Sequence, residues 1–445
     1  MHHALQPLLK GKRVLQIGLG VQGGGLGLAR YIAQQVKSLT ITDKKNEHDL
    51  AASVDELKEF PSIQFALGGH PDEVFTNIDL IIIGPSVPWD MPQLIEARKK
   101  GIEVTSEIEL FFKAVTVPVI GITGTRGKTT TTTMIVNMLS SVGKRVAIGG
   151  NIAGNSTIEI LDKQENLDYI VLELSSWQLA VLHRIKKSPH IAVFTNFYPD
   201  HLNFYPSMDA YWYDKTALFA YQKPEDILIV DESLKDKIDK STYQSALQWV
   251  TSYKKDLSVP GSHNRSNAAL AEAVGRTLGI PDEHIEKMLY EFKGVPYRLQ
   301  KIETIKDVDI YNDTTSTTPI ALITAITAMK EQQYTHTVLI MGGNSKNLPY
   351  GDLVATITSS VDAVVLLKGT FSDELLSQLP KKIVVGDIQT SMESAVSLAL
   401  DAAQPKGCIL FSPGATSFAM FKNEFDRGEQ FNAAVYNCLC INTPS

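Results

Sequence analysis

Cysteine is nearly missing from this chain. Three occur in 445 residues, at Cys408, Cys438 and Cys440, all late and without the paired spacing of a zinc site. They read as incidental thiols, and cysteine-held zinc is excluded. A basic surplus is missing too: 42 Lys and Arg face 49 Asp and Glu, a formal charge of −7. Nucleic acid and acidic membrane surfaces are therefore not expected partners, and any phosphate binding must come from a local site. No apolar run reaches membrane-spanning length, and Met1-His-His-Ala-Leu-Gln-Pro7 lacks the basic start and apolar core of a signal peptide. The expectation is a cytoplasmic protein with no membrane attachment.

What is present is a hydrophobic fraction of 44% spread over a length suited to about three domains. Apolar runs alternate with helical patterns. Strands are expected at Arg13–Gly18, Leu39–Thr42, Leu80–Ile83 and Glu103–Thr105, with helices at Gly27–Gln35 and Pro92–Lys100. A second series follows at Arg145–Ile148, Tyr169–Leu174, Ile191–Thr195 and Ile227–Val230. A third has Val308–Tyr311, Thr337–Met341, Ala363–Leu367, Lys382–Val385 and Cys408–Phe411, with helices Thr318–Met329 and Ser391–Ala403. Such alternation predicts an α/β chain of three domains with mostly parallel sheets: a Rossmann-like unit over 1–115, a P-loop-type unit over 116–296 and a second Rossmann-like unit over 297–445.

The most telling stretch is Val117-Pro-Val-Ile-Gly-Ile-Thr-Gly-Thr-Arg-Gly-Lys-Thr-Thr130, a buried strand running into a glycine-rich turn and a helix. Gly121, Gly124 and Gly127 are expected to let backbone N–H groups face an anion. Gly124, Thr125, Arg126, Gly127, Lys128, Thr129 and Thr130 would cradle nucleotide phosphates, with Lys128 as point charge and the Thr129 hydroxyl toward Mg²⁺. Ile122 stands where a strict P-loop has its first glycine.

Earlier, Gly18-Leu-Gly-Val-Gln-Gly23 fits the dinucleotide fingerprint, with Asp43 twenty residues beyond it. Extra glycines at Gly24, Gly25 and Gly27 are expected to stretch the turn, and nothing downstream offers hydride chemistry. The preferred use is a UDP-sugar diphosphate held at Gly20 and Val21, with Asp43 on a ribose or uracil group and Lys44 and Lys45 near the phosphates.

Beyond the cradle, Leu172-Glu-Leu-Ser-Ser176 puts a carboxylate at a strand tip, so Glu173 would share Mg²⁺ with Thr129. Asp200-His-Leu202 and Lys215 follow in order. This succession resembles the central domain of the Mur ligases, cytoplasmic enzymes that add amino acids to the peptidoglycan precursor, and the resemblance spans essentially the whole chain. It implies an ATP-dependent ligase joining D-glutamate to UDP-N-acetylmuramoyl-L-alanine through an acyl phosphate. It also implies two Mg²⁺ held by Thr129, Glu173, His201 and a carbamylated Lys215. Lys128, His201, Lys215 and Arg298 would be the catalytic set; Asn264 and Asn267 would hold adenine, Arg298 the phosphates and Asp313 the ribose. Asn151, Ser175 and Gln178 would meet the muramoyl-alanine, and Thr317, Lys346, Ser417 and Phe418 the incoming amino acid.

Thr315 departs from that pattern, standing where the family has a lysine opposite the glutamate carboxylate. Another acceptor amino acid, such as L-glutamate, therefore stays open. So do a nicotinamide-dependent oxidoreductase, on the strength of Gly18–Gly23, and a P-loop switch or motor. Domain closure and a monomeric state are the remaining expectations.

Overall fold

The computed structural model describes residues 5–20, 23–152, 154–201, 204–346 and 348–442. Three separate sheets are present. The first contains β1 (Arg13–Ile17), β2 (Ser38–Asp43), β3 (Ile63–Leu67), β4 (Leu80–Ile83) and β5 (Glu103–Ser106) in the order β3-β2-β1-β4-β5, parallel throughout. The second contains β6 (Val119–Thr123), β7 (Val146–Gly150), β8 (Tyr169–Glu173), β9 (Ile191–Phe194), β10 (Ile227–Asp231) and β11 (Ala246–Val250), ordered β11-β10-β9-β6-β8-β7 and also parallel. The third is β12 (Gln300–Ile305), β13 (Val308–Asn312), β14 (Thr337–Gly342), β15 (Ala363–Leu367) and β16 (Cys408–Phe411), ordered β12-β13-β16-β14-β15, with only β12 antiparallel.

Central strands such as Leu80–Ile83 and Val119–Thr123 are buried at every position. Helices cover both faces of a parallel sheet, so no face of these strands needs a polar residue. The chain divides into two compact units, Met1–Tyr253 with Ser266–Met288, and Lys254–Arg265 with Leu289–Ser445. One apolar cluster explains why the first two sheets share a unit: it runs from Val14 and Leu39 through Phe111 and Phe112 to Ile160 and Leu172. The third sheet has a separate core on each face, one around Leu339 and Leu410, the other around Ile340 and Phe411.

Most expected elements are present, within a residue or two at their ends. The strand expected at Lys382–Val385 is not: Lys381–Ile383 is a turn of 3₁₀ helix, and beyond it only Val384 bridges to Val364. Pro380 precedes the segment and Lys381 and Lys382 face solvent, so Ile383 is buried and Val384 and Val385 are half-buried without a ladder forming. Three strands had no apolar run to betray them. β3, β11 and β12 lie at sheet edges and are half-exposed along their length.

The glycine-rich turn is also corrected. The helix expected from Gly27 begins at Gly24, so Gly24, Gly25 and Gly27 lie in its first turn and do not lengthen the loop. Close approach explains Gly25 and Gly27: a Cβ on Gly25 would stand 2.3 Å from the Leu19 carbonyl oxygen, and one on Gly27 would stand 2.2 Å from Ser156 Cβ. Helix propensity alone hides this start, because glycine is disfavoured inside helices. Gly25→Ala is expected to cost about 2 kcal/mol, because a backbone carbonyl must move to admit the methyl; urea denaturation of the variant against the wild type measures it.

Candidate functional site

In the second sheet the chain leaves β6 toward β8 and β7, then returns to lay β9 on the other side of β6. The carboxyl ends of β8, β6 and β9 therefore open onto one crevice, where doubly wound sheets bind ligands. The turn after β6 lies there. Gly127 caps the helix Lys128–Ser141 with φ of 80°, and a Cβ on it would meet Asn267 Oδ1 at 2.2 Å. Gly124 has φ of 152°, and a Cβ on it would run into Thr195 Oγ1. Gly121 does not belong to the cradle as expected: it is the middle residue of β6, and its missing Cβ makes room for Pro189.

The residues after β9 hold this turn open. Thr125 N donates to Asn196 O at 3.0 Å, Arg126 N to Asn196 Oδ1 at 2.9 Å, and Thr195 Oγ1 to Arg126 O at 2.6 Å. Tyr198 N donates to Thr125 Oγ1 at 3.0 Å. Lys128 Nζ bends back over the turn to Gly124 O and Thr125 O, both at 3.1 Å. Thr130 is half-buried in the first turn of the helix. That helix presents its N-terminus to the crevice, which adds to the field favouring an anion.

At the tip of β8, Glu173 Oε2 accepts from Thr129 Oγ1 at 2.7 Å and Oε1 from Asn151 Nδ2 at 3.2 Å. Among the described residues no three His, Cys, Asp or Glu side chains cluster closely enough to hold a metal alone. Magnesium needs less, since it keeps waters and phosphate oxygens beside one or two protein oxygens. Thr129 and Glu173 fit that requirement.

Lys215 is buried to 1% exposure, with Nζ donating to Thr123 Oγ1 at 3.2 Å and Gly124 O at 3.0 Å. Burial, and then the charge of Lys128, hold its ammonium well below the ordinary lysine range. His201 is pushed the same way by partial burial and by Lys128, Lys215 and Arg126, against Asp200. Its backbone lies at φ of 54°, and its ring packs on Trp177 at 5.0 Å and Tyr211 at 5.8 Å between centroids. Cations thus repel one another around a turn shaped for an anion.

The other expected contacts of the first unit divide. Ser175 and Gln178 form a reciprocal capping box on the helix Ser176–Ile185. Asn267 reaches the cradle, accepting from Thr131 Oγ1 at 3.3 Å. Asp43 is buried and lies against the Gly18–Gly20 turn, where its carboxylate accepts from Leu19 N, Gly20 N and Lys45 N at 2.8 to 3.0 Å. Burial raises its pKa, but these amides outweigh that and leave it below the usual range. Lys44 and Lys45 are exposed beside it, and Val21 lies outside the described residues.

In the second unit, Asn264 donates to Pro260 O at 2.7 Å, and Arg298 is exposed. Asp313 is buried and accepts from Leu299 N, Ser316 Oγ and Ser412 Oγ at 3.0, 2.5 and 2.8 Å. Burial still pushes its carboxyl up to about 6. Lys346 Nζ donates to Thr317 Oγ1 at 3.0 Å, Ser417 is buried, and Phe418 is 70% exposed. Thr315 donates its hydroxyl to Tyr297 O at 2.9 Å.

Family models match along the chain in the same order as the sheets. The Mur ligase MurD-like N-terminal domain matches residues 12–106, the Mur ligase middle domain 122–256, and the Mur ligase glutamate ligase domain 297–414. The chain belongs to the Mur ligase family. Among Mur ligases it is similar to the UDP-N-acetylmuramoylalanine–D-glutamate ligase of Roseiflexus sp. (strain RS-1), 35% identical over 96% of this chain and 99% of that one. Its namesake from Borreliella afzelii (strain PKo) is 31% identical over 96% and 98%. The Mur ligase fold extends to solved structures of low identity. The UDP-N-acetylmuramate-alanine ligase MurC of Thermotoga maritima is 17% identical with a TM-score of 0.60, covering 96% of this chain and 100% of that one. MurF ligase of the same organism, in complex with ADP, is 18% identical with a TM-score of 0.58, covering 98% and 100%.

Several residues that shape this Mur ligase had no motif to mark them. Thr195, Asn196 and Tyr198 were visible only as polar residues ending an apolar strand. Arg427, fully buried, donates to Thr314 Oγ1, Thr314 O and Ala415 O at 2.8 to 3.1 Å, tying the segment after β13 to the one after β16. Glu107 accepts from Ile158 N at 3.0 Å and Ser156 Oγ at 3.5 Å, joining the end of β5 to the segment before Glu159.

Burial, reinforced by Glu159, pushes the Glu107 carboxyl up to about 7, while hydrogen bonds from the 156–158 segment oppose the shift. A raised carboxyl pKa means the folded state resists ionisation that the unfolded chain accepts. Stability is therefore full below the unfolded value and falls as pH rises toward 7, by at most about 3 kcal/mol. Glu107→Gln should remove this slope, so that denaturation midpoints of variant and wild type converge or cross between pH 5 and 8; parallel curves would contradict the buried carboxyl.

Proposed function

We propose that this chain is an ATP-dependent ligase that adds D-glutamate to UDP-N-acetylmuramoyl-L-alanine, a cytoplasmic step of peptidoglycan precursor synthesis, and that it acts as a monomer. The observation carrying the reading is the phosphate turn Gly124–Gly127 with Lys128 over it and the Thr129–Glu173 pair at its mouth. Relatives 30–35% identical over nearly full length are named for that reaction. No described helix is long and apolar enough to cross a membrane, which accords with a cytoplasmic site of action.

In this reading the alanine carboxylate oxygen of the UDP-sugar attacks the γ-phosphorus of ATP, and the bond to ADP breaks. The glutamate amine then attacks the acyl-phosphate carbon, the bond to phosphate breaks, and a proton leaves the nitrogen. Phosphoryl transfer of this kind is accelerated mainly by positioning and by charge set in place beforehand. Lys128 and the helix N-terminus lie against the phosphates, and Arg126 adds positive field at the rim. Thr125 N and Arg126 N are taken up by Asn196, which fixes the shape of the turn and leaves the helix N-terminus to meet the phosphates.

Thr129 and Glu173 would hold Mg²⁺, which neutralises phosphate charge when bound. A second ion would need an anionic ligand beside His201, and unmodified Lys215 is the wrong sign. Its burial supplies the remedy: a neutral amine lone pair adds to the carbon of CO₂, one proton leaves to solvent, and the resulting carbamate is an oxygen ligand. On the first unit we assign the UDP-sugar to Gly20, Asp43, Lys44, Lys45, Asn151 and Gln178. On the second we assign glutamate to Thr317, Lys346, Ser417 and Phe418. Lys346 is the cation nearest in kind to the lysine that Thr315 replaces.

Phosphate release from ATP should require UDP-N-acetylmuramoyl-L-alanine together with D-glutamate, and L-glutamate, aspartate and lysine should not replace the latter. Stimulation by L-glutamate instead would move the acceptor, and release independent of any UDP-sugar would favour a switch or motor. Lys128→Ala should lower kcat by on the order of 10³-fold or more. Lys215→Ala should be comparably impaired yet partly restored by short carboxylates such as acetate; an active Ala variant would refute the carbamate.

A further inference from the structure

A histidine beside the first glycine turn takes no part in the phosphoryl chemistry. After β3 the chain hooks back over the end of β2. Gly68, at φ of 86°, donates its N–H to Asp43 O at 3.0 Å and Lys45 O at 2.9 Å, and Gly69 N donates to Asp43 O at 2.9 Å. This hook sets His70 against Thr42, a fully buried residue, with His70 Nδ1 3.0 Å from Thr42 Oγ1. His70 itself is half-buried.

Hydrogen bonding decides which ring nitrogen carries the proton. Thr42 has a single hydroxyl hydrogen, and it goes to Gly69 O at 2.7 Å. Toward His70 the Thr42 oxygen can then only accept, so Nδ1 carries the hydrogen and Nε2 of the neutral ring keeps a lone pair. Burial, and then the charge of Lys44, hold His70 below the usual histidine range against the pull of Asp43, which keeps the ring neutral near pH 7. Nothing among the described residues hydrogen-bonds Nε2, and it is not one of the buried polar atoms left without a partner, so it opens to solvent. Neighbouring groups lack this capacity. Asp43 has roughly four lone-pair directions and spends three on Leu19 N, Gly20 N and Lys45 N, leaving one for a ribose hydroxyl. Lys44 and Lys45, exposed beside it, are donors only.

We propose that His70 selects the base of the sugar nucleotide, its Nε2 accepting from the N3–H of uracil and repelling the unprotonated N3 of cytosine. The inference rests on the UDP-sugar assigned above to Gly20, Asp43, Lys44 and Lys45 and adds a base-selecting residue to that site. Uracil presents an N–H between two carbonyl oxygens, and covering that N–H without an acceptor is costly. Cytosine places a bare nitrogen at the same point, so lone pair would face lone pair. Asp43 links the two ends of the nucleotide: its carboxylate shapes the Gly18–Gly20 turn for the diphosphate, and its carbonyl carries the hook that holds His70.

The test compares the full-length wild-type enzyme on UDP- and CDP-N-acetylmuramoyl-L-alanine, whose bases are close in size. Cytosine is expected to raise KM for the sugar nucleotide on the order of thirtyfold, with KM for ATP unchanged. His70→Phe keeps a ring without its nitrogens and should raise KM for the UDP-sugar about tenfold, narrowing the preference between bases to about threefold or less. His70→Gln, whose amide can turn either its oxygen or its N–H to the base, should narrow the preference in the same way. Equal KM for the two bases in the wild type, or a preference undiminished in both variants, would overturn the assignment while the ligase reading stands. A 2′-deoxyuridine substrate checks the ribose: a deficit there that disappears in His70→Phe would place Nε2 on the sugar and overturn the base assignment. No turnover of the UDP-sugar by the wild type would defeat the ligase reading; calorimetric binding of UDP against CDP to the same proteins then decides the role of His70 by itself.

Discussion

The phosphate turn depends on a clamp supplied from elsewhere in the sheet. Within Gly124–Gly127 the Thr125 hydroxyl anchors on the Tyr198 backbone, and Lys128 pulls inward on two of the turn's carbonyls. Thr195 and Asn196, at the end of the neighbouring β9, take up Thr125 N, Arg126 N and Arg126 O. Each of these hydrogen bonds fixes one carbonyl or amide, so the turn keeps a single shape at the mouth of the crevice. Preorganisation of this kind is what makes backbone dipoles effective toward a polyanion, since nothing has to turn when charge moves.

The same region concentrates unlike demands. Lys215 is buried beside a loop that wants anions and near Lys128, which depresses its protonation. A buried lysine whose partners are a hydroxyl, a carbonyl and the Tyr211 ring, with no carboxylate paired to it, is a poor stabiliser of the fold. It is intelligible as a reactive amine held in readiness, and the carbamate assignment turns that liability into a ligand. His201 shows a similar compromise, carrying a left-handed backbone in order to stand between Trp177 and Tyr211.

Structural duties fall on residues that the sequence marks as ligands. Asp43 secures the Gly18–Gly20 turn, Ser175 and Gln178 cap a helix, and Asp313 gathers three donors beneath the third sheet's loops. A carboxylate that organises a binding loop is as indispensable as one that touches substrate, so loss of activity on mutation does not distinguish the two. Arg427 is the converse case: its charge invites a role in binding an acid, yet all three guanidinium nitrogens are used on protein oxygens.

The buried strands and the phosphate turn were legible in the residue order, because burial on both faces writes unbroken apolar runs and an anion cradle demands glycine, lysine and threonine at fixed spacing. Glu173 could be picked out as a carboxylate where an apolar strand ends, whereas His201 and Lys215, the latter inside the helix Met208–Thr216, were marked by the order in which they follow the cradle and by the family resemblance. The edge strands β3, β11 and β12 were not legible, since half-exposed chain carries no such run; nor was the helix start at Gly24, because Gly27 in its first turn answers to Ser156, distant in sequence. Only the tertiary structure brought Asn196 under the phosphate turn, Asp43 under the first glycine turn, and His70 against Thr42. These are meetings between segments far apart along the chain, and local composition holds no record of a partner that arrives through folding.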